Sequence, residues 1–153
     1  MKKDKIPFKI GMQYENWEFN LDILPDRIKG LDSYLNIDES LNSFLNVHTD
    51  KTELIFSLDI LECVILTFKD RTQAFHKELK ENVFSNVEKL GGLDIMYSAE
   101  NEDYSNKLSH CISYKDKTVS LIYCNKLILL NVLSTLIYAN RSILRRSNTY
   151  LLF

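Results

Sequence analysis

The stretch ELIFSLDILECVILTFKD, residues 53–70, is the most apolar part of the chain and constrains its fold more than any other segment. A membrane-spanning helix needs about 20 apolar residues, whereas this stretch is shorter and contains the acidic residues Asp59 and Glu62. Its even-numbered positions are apolar from Leu54 to Phe68 except at Glu62, and its odd-numbered positions are mixed. This period of two indicates β-structure.

A single strand covering the whole stretch would be unusually long, so the chain is expected to fold back on itself. We predict a hairpin over residues 53–68 with its turn near Asp59–Ile60. The turn contains no glycine, and a buried helix is the alternative, because short apolar runs fit both structures.

Residues 8–24 present the same choice between a helix and a hairpin. Four large side chains follow helical spacing between Gly11 and Pro25, and we favour this helix: Tyr14, Trp17, Leu21 and Leu24. The apolar residues also alternate, which would suit a hairpin turning at Glu15–Asn16. Short helices are further predicted within residues 25–35 and 39–47.

The clearest helical pattern in the chain covers residues 70–90, with Asp70 as a possible cap and Gly91–Gly92 after its end. The apolar stripe of this helix consists of Phe75, Leu79, Val83 or Phe84, Val87 and Leu90. Residues 111–124 alternate on both sides of Lys115–Lys117, which predicts a second hairpin.

A last helix is predicted over residues 126–146, capped by Asn125. Its core stripe would include Leu127, Leu130, Leu133, Ile137 and Leu144. Strands joined in hairpins and separated by helices predict an α+β fold, with antiparallel hairpins and packed helices, in which residues 1–153 form a single domain. The alternative is a mostly α-helical fold, if residues 8–24 and 53–68 are helices.

Charge is distributed unevenly along the chain. Residues 1–70 contain 13 acidic and 8 basic residues, whereas residues 71–153 contain 8 acidic and 11 basic residues. The only tight basic group lies near the end of the last predicted helix, where cations are favoured, and it comprises Arg141, Arg145 and Arg146. Direct binding of nucleic acid is therefore not expected.

The three cysteines, Cys63, Cys111 and Cys124, form no CxxC motif. Their odd number argues against a disulfide framework and predicts a reducing, cytoplasmic location. The lysines at the start of the chain precede no apolar run, so no secretory signal is expected. Cys63 lies in the apolar stretch and is expected to behave as a small core residue.

Sequence motifs for phosphate loops, zinc proteases, serine hydrolases and EF-hands are absent from the chain. The histidines His48, His76 and His110 are far apart, so neither a metal nor another cofactor is expected. A small hydrolase that uses a Cys–His pair, such as Cys124 and His110, is the enzymatic alternative.

Residues 97–107 form a polar, acidic segment that reads as a loop or the start of a helix. Tyrosines supply contact area and acids steer a basic partner, so a partner-binding site is predicted at Tyr97, Glu100, Glu102, Asp103 and Tyr104. Asp59 and Glu62 form a second candidate group, whose simpler role is turn formation. Loops of the N-terminal half offer a further acidic surface: Asp32, Asp38, Glu39 and Asp50.

The string IGMQYENWEF, residues 10–19, followed by a hairpin of the ELIFSLDILECVILTF kind, resembles small bacterial immunity proteins. These are cytoplasmic antidotes of polymorphic toxins, including those of contact-dependent growth inhibition systems. The resemblance implies a non-enzymatic protein that needs no cofactor and neutralises its cognate toxin domain by direct binding. It predicts as partner a basic nuclease domain. A regulatory subunit of a larger assembly is a further alternative.

Overall fold

An antiparallel β-sheet forms the centre of the computed structural model, which describes residues 8–83, 88–90, 93–98, 108–125 and 128–136. The strands are β1 (Leu21–Leu24), β2 (Asp32–Asn36), β3 (Ser43–Phe44), β4 (Val47–His48), β5 (Lys51–Ser57), β6 (Ile60–Phe68), β7 (Glu88–Leu90), β8 (Leu93–Ser98), β9 (Leu108–Lys115) and β10 (Thr118–Asn125). The helices are α1 (Gln73–Val83) and α2 (Leu129–Leu136).

Eight of the strands form one sheet in the order β1-β2-β5-β6-β10-β9-β8-β7, and β3 and β4 form a separate small hairpin. Each half of the chain therefore contributes one set of hairpins, and the pairing of β6 with β10 joins the two sets. With α1 and α2 packed on the sheet, the fold is α+β in a single domain, as predicted. The mostly α-helical alternative is wrong.

The most apolar stretch of the sequence forms the β5–β6 hairpin, which confirms the predicted fold-back and excludes the buried helix. Its two-residue turn is Leu58–Asp59, one residue earlier than expected. Both residues have a positive φ, 47° and 66°, which is the conformation that matches a tight turn to the twist of its flanking strands.

A β-bulge explains why Glu62 interrupts the apolar period of two. Ile55 pairs with Cys63, but Phe56 pairs with Leu61, so Glu62 is an extra residue in β6. Leu61 consequently shares a face with Phe56, and Cys63 shares the other face with Ile55.

The two faces of the sheet carry separate apolar cores. The first face packs against the N-terminal segment, the β3–β4 hairpin and α1, and its core includes Phe8, Phe44, Leu54, Phe56, Leu61, Phe68, Leu79, Ile112 and Leu121. The second face packs against α2, and its core comprises Ile55, Cys63, Ile65, Cys111, Ile122, Cys124, Leu129, Val132 and Leu133. All three cysteines are buried as thiols and not as disulfides, and the expectation that Cys63 is a core residue is confirmed.

The N-terminal predictions are wrong in their secondary structure. Residues 14–20 form two 3-10 turns, Tyr14–Asn16 and Glu18–Asn20, and β1 follows, so neither the helix nor the hairpin turning at Glu15–Asn16 exists. Backbone hydrogen bonds to Leu61, near the start of β6, hold this segment instead. The Gly11 N–H donates to the Leu61 carbonyl and the Leu61 N–H donates to the Met12 carbonyl, both at 2.8 Å.

The two short helices predicted next are also largely replaced by strands. Residues 25–35 run through a loop into β2, and residues 39–47 contain one 3-10 turn, Glu39–Leu41, followed by β3 and the start of β4. Strand β2 pairs with both β1 and β5, so backbone hydrogen bonds to two neighbouring strands stabilise its extended conformation. The local spacing of apolar residues does not indicate this pairing.

The helix predicted over residues 70–90 is shorter than expected, because Glu88–Leu90 forms strand β7. Asp70 is not its cap, since its φ of +54° is outside the extended range that a helix N-cap adopts. The Thr72 hydroxyl accepts a hydrogen bond from the Phe75 N–H at 3.2 Å instead. Phe75 and Leu79 pack on the core as predicted.

The second hairpin and the last helix are confirmed within the described residues. The β9–β10 turn is Asp116–Lys117, inside the predicted KDK segment. Helix α2 buries Leu129, Val132 and Leu133. Leu130 is 37% exposed, so the predicted stripe is displaced, and Ile137 and Leu144 lie outside the described residues.

A buried ion pair ties the loop after β1 to the second face of the sheet. Arg27 Nε and Nη2 donate to the two carboxylate oxygens of Glu53 at 3.0 and 2.7 Å. Arg27 Nη1 also donates to the Thr135 hydroxyl on α2 at 3.3 Å. This arrangement compensates the burial of Glu53, whose side chain is only 4% exposed.

Candidate functional site

Three aromatic rings meet where the N-terminal segment crosses β2 and β5 on the first face of the sheet. The Tyr14 and Tyr34 ring centroids are 5.0 Å apart, and each ring meets the buried Phe56 ring edge-on at 5.6 Å. Phe56 is in β5 and Tyr34 is in β2, so the sheet register fixes their relative positions. Phe56 forms the buried base of this cluster, and the two tyrosines are only partly buried.

A backbone hydrogen bond fixes Tyr14 to the β5–β6 turn. The Tyr14 N–H donates to the Asp59 carbonyl at 2.8 Å. A second backbone hydrogen bond, from the Leu61 N–H to the Met12 carbonyl, joins the same N-terminal segment to β6. The ring of Tyr14 is therefore held over the sheet by the same turn that presents Leu58 and Asp59.

Two carboxylates act on the exposed side of the ring cluster. Asp32 lies two residues before Tyr34 in β2, so both side chains lie on the same face of the sheet. The pKa of Tyr34 is raised by burial, then by Tyr14, and then by the negative charges of Asp32 and Asp59. The two carboxylates therefore produce a negative potential at the tyrosine pair.

Apolar side chains that flank these groups are open to solvent. Ile23 lies directly opposite Tyr34 in the register of β1 and β2 and is 81% exposed. Leu58 in the neighbouring turn is 93% exposed. We refer to Tyr14, Ile23, Asp32, Tyr34, Leu58 and Asp59 as the aromatic–acidic surface.

The backbone of Leu58 makes its exposure more notable. A left-handed conformation is unfavourable for a branched side chain and is normally adopted by Gly, Asn or Asp. Leu58 nevertheless has a φ of +47° and buries almost none of its side chain within the molecule. Neither turn geometry nor core packing accounts for a leucine at this position.

The site residues predicted from the sequence fall into three groups. Asp59 belongs to the aromatic–acidic surface. Glu62 lies apart from the ring contacts, and its Oε2 accepts a hydrogen bond from Asn125 Nδ2 at 3.2 Å. Tyr97 lies in β8, and the remaining residues of the predicted patch are outside the described residues: Glu100, Glu102, Asp103 and Tyr104. That patch remains a prediction.

The acidic loop residues of the N-terminal half have different surroundings. Asp38 Oδ1 accepts the Ser40 N–H at 3.0 Å and so organises a turn. Asp50 Oδ2 accepts the Lys69 N–H at 2.7 Å and so joins the residue before β5 to the residue after β6. Asp32 is the one of this group that joins the tyrosine pair. Its position opposite Phe56 in the pairing of β2 with β5 could not be predicted while residues 25–35 were assigned to a helix.

The Cys–His pair considered for a hydrolase is separated by the sheet. Cys124 is fully buried in the core against α2. His110 packs its ring on Tyr123 at 4.6 Å, and Tyr123 and Cys124 are neighbours in β10, whose side chains point to opposite faces. The thiol and the imidazole therefore do not form a nucleophile–base pair.

Two other kinds of site are absent from the described part of the chain. No group of three or more His, Cys, Asp or Glu side chains there could hold a metal ion. Among the same residues, no helix is long and apolar enough to span a membrane.

No protein-family model matches the chain. No curated protein matches it either. A solved structure of a cysteine-rich secretory protein from Staphylococcus aureus subsp. aureus Mu50 is similar at a TM-score of 0.43 and 13% sequence identity. The match covers 79% of this chain and 46% of that one, so the chain spans less than half the length of that protein. A likeness at this level assigns neither a family nor a function.

Proposed function

We propose that this protein is a cytoplasmic immunity protein that binds a cognate toxin domain, a basic nuclease, and neutralises it by covering its active site or its substrate surface. The resemblance of residues 10–19 and of the β5–β6 hairpin to bacterial immunity proteins suggested this function. The proposal assigns the aromatic–acidic surface, in which two partly buried tyrosines adjoin two carboxylates and two exposed aliphatic side chains, as the contact region.

Leu58 is the observation that carries the proposal. Burial of an exposed aliphatic side chain in a complex removes apolar surface from water, which favours association. Leu58 is 93% exposed in the isolated chain and lies in the two-residue turn at the end of the β5–β6 hairpin, so a partner could bury it without rearranging the sheet. Ile23 and the rings of Tyr14 and Tyr34 would extend the contact beyond the turn.

The carboxylates of this surface favour a basic partner. Asp32 and Asp59 lie beside the tyrosines, and the chain carries a formal net charge of −2. Nucleases bind the phosphate backbone with lysine and arginine side chains, so their substrate surface has the complementary charge. Attraction between the two surfaces would speed association, which matters for an antidote that must bind its toxin before damage occurs.

Affinity capture with surface variants tests the proposal. The tagged chain is used to capture proteins from the organism that encodes it, and retained proteins are identified by mass spectrometry. We expect a stoichiometric partner that contains a nuclease domain, and we expect one equivalent of the chain to stop nucleic-acid cleavage by that domain. Leu58→Asn and Asp32→Lys should each weaken binding by about tenfold or more.

Two matched variants control for general effects of the substitutions. Leu130→Gln removes an exposed leucine from α2, and Asp22→Lys reverses an exposed charge at a β1 position on the opposite face from Ile23. Both should retain wild-type affinity. If the chain captures no such partner, or if all four variants bind it equally well, the proposed function or its assignment to this surface is wrong.

A further inference from the structure

We propose that the exposed side of Tyr34 binds an arginine guanidinium of the partner, with the carboxylates of Asp32 and Asp59 accepting its hydrogen bonds. This inference rests on the proposed function, because it specifies which side chain of a basic partner the aromatic–acidic surface recognises.

The ring geometry determines where a cation can lie. Tyr14 and Tyr34 are in direct contact at a centroid separation of 5.0 Å, so no group fits between them. Phe56 closes the cluster from below, with its ring edge-on to both tyrosines. Ile23, the register partner of Tyr34 in β1, is 81% exposed, so a side chain of a second molecule can approach the partly buried Tyr34 from the β1 side.

The carboxylates surround the same ring from two directions. Asp32 lies in β2, two residues before Tyr34. Asp59 lies in the β5–β6 turn, and its backbone carbonyl accepts a hydrogen bond from the Tyr14 N–H. Both charges act on Tyr34, where they add to burial in disfavouring the phenolate. A cation over the Tyr34 ring would be attracted by the ring face and by both carboxylates.

Arginine matches this arrangement better than lysine does. The guanidinium is planar, stacks on a ring face and carries five N–H donors in a fixed geometry, so it can stack and still reach two carboxylates. An ammonium group is a compact, strongly hydrated charge that would lose more hydration on the same ring. The methylene groups of an arginine would also contact Ile23, which is exposed and lies opposite Tyr34 in the strand register.

Peptide titration of the full-length chain tests this inference. The probes are two capped peptides, acetyl-Gly-Arg-Gly-amide and acetyl-Gly-Lys-Gly-amide, followed through the NMR signals of the Tyr14 and Tyr34 rings. We expect saturable shifts of the Tyr34 ring signals, with the arginine peptide binding about two- to fivefold more tightly than the lysine peptide. Asp32→Asn and Asp59→Asn should each weaken the arginine peptide, and Asp22→Asn should not.

Three outcomes would overturn the inference. They are the absence of any shift of the Tyr34 ring signals, equal affinity for the two peptides, and an affinity for the arginine peptide that neither Asp32→Asn nor Asp59→Asn changes. Comparison with the capture experiment separates the two proposals. Partner binding without arginine selectivity would retain the proposed function and remove the arginine site. Selective arginine binding without any captured nuclease would retain the site and remove the proposed function.

Discussion

The guanidinium of Arg27 meets the buried carboxylate of Glu53 through two hydrogen bonds of 3.0 and 2.7 Å. The pair joins the loop after β1 to strand β5, and Arg27 reaches onward to Thr135 in α2. Three separate parts of the chain therefore depend on one ion pair, which makes the pair a sensitive position for stability.

Glu53→Gln should reduce the free energy of unfolding by about 3 kcal/mol, because it removes the countercharge of a partly buried guanidinium. Urea denaturation of the variant and the wild type measures this difference. Lys51→Met is the control, since Lys51 Nζ is 3.9 Å from the same carboxylate but 38% exposed, and its loss should cost less than about 1 kcal/mol. Equal effects of the two substitutions would contradict the importance of the pair.

Leu58→Asn should stabilise the protein while it weakens partner binding. Asparagine tolerates the left-handed conformation better than leucine does, so the gain should be about 0.5–1 kcal/mol. Leu58 contributes almost no packing that could be lost, because it is 93% exposed. Thermal denaturation measures the gain in stability, and Asn46→Ala, at another left-handed turn position, should have the opposite effect. A destabilised Leu58→Asn protein would show that Leu58 has a structural role.

Asp59→Asn should lower the pKa of Tyr34. Burial, Tyr14 and the two carboxylates raise this pKa, and the substitution removes one of the negative charges. The titration of Tyr34 can be followed through its ring NMR signals between neutral and strongly alkaline pH. Asp22→Asn, at an exposed position in β1, serves as the control and should leave the Tyr34 titration unchanged. An identical Tyr34 pKa in the wild type and Asp59→Asn would place the Asp59 carboxylate away from the ring.

Stability should fall as the pH rises above about 8.5, where cysteine thiols ionise in an unfolded chain. Burial, followed by the neighbouring Cys124 thiol, raises the pKa of Cys63 well above its ordinary value. The folded state therefore keeps this proton while the unfolded state releases it, so the free energy of unfolding decreases by up to about 1.4 kcal/mol per pH unit.

Urea denaturation between pH 7 and about 9.5 should reveal this alkaline loss in the wild type, below the range where most tyrosines and lysines ionise. Cys63→Val retains an apolar side chain of similar size and should show a smaller loss. Parallel pH profiles of the two proteins would exclude Cys63 as the cause.

The sequence predicted the two long hairpins because their apolar residues follow a period of two and because a short polar segment suited to a turn lies within each of them. The helix α1 was also recognisable from Phe75 and Leu79, but its C-terminal part was overestimated, because residues 88–90 pair with β8 instead of continuing the helix. The N-terminal segment was misassigned for a similar reason. Tyr14 and Trp17 have helical spacing, yet they lie in a segment of 3-10 turns. Backbone bonds from Tyr14 to Asp59, and between Leu61 and residues 11 and 12, hold that segment against the β5–β6 hairpin.

The aromatic–acidic surface was only partly predictable. Asp59 was identified because a polar residue was expected in the β5–β6 turn. Tyr14 and Tyr34 are separated along the chain, and they meet because both contact Phe56 in the sheet. Such proximity depends on strand order and register, which local patterns of apolar residues do not specify.

The central pairing of β6 with β10 has a consequence for synthesis of the chain on the ribosome. Strands β1, β2, β5 and β6 emerge early and can pair with one another, but the other edge of β6 waits for Val119–Cys124. Until that segment emerges, an apolar strand edge stays unpaired and can associate with other nascent chains. Slow translation of the second half should therefore increase aggregation during expression, and a chaperone that shields β6 should reduce it.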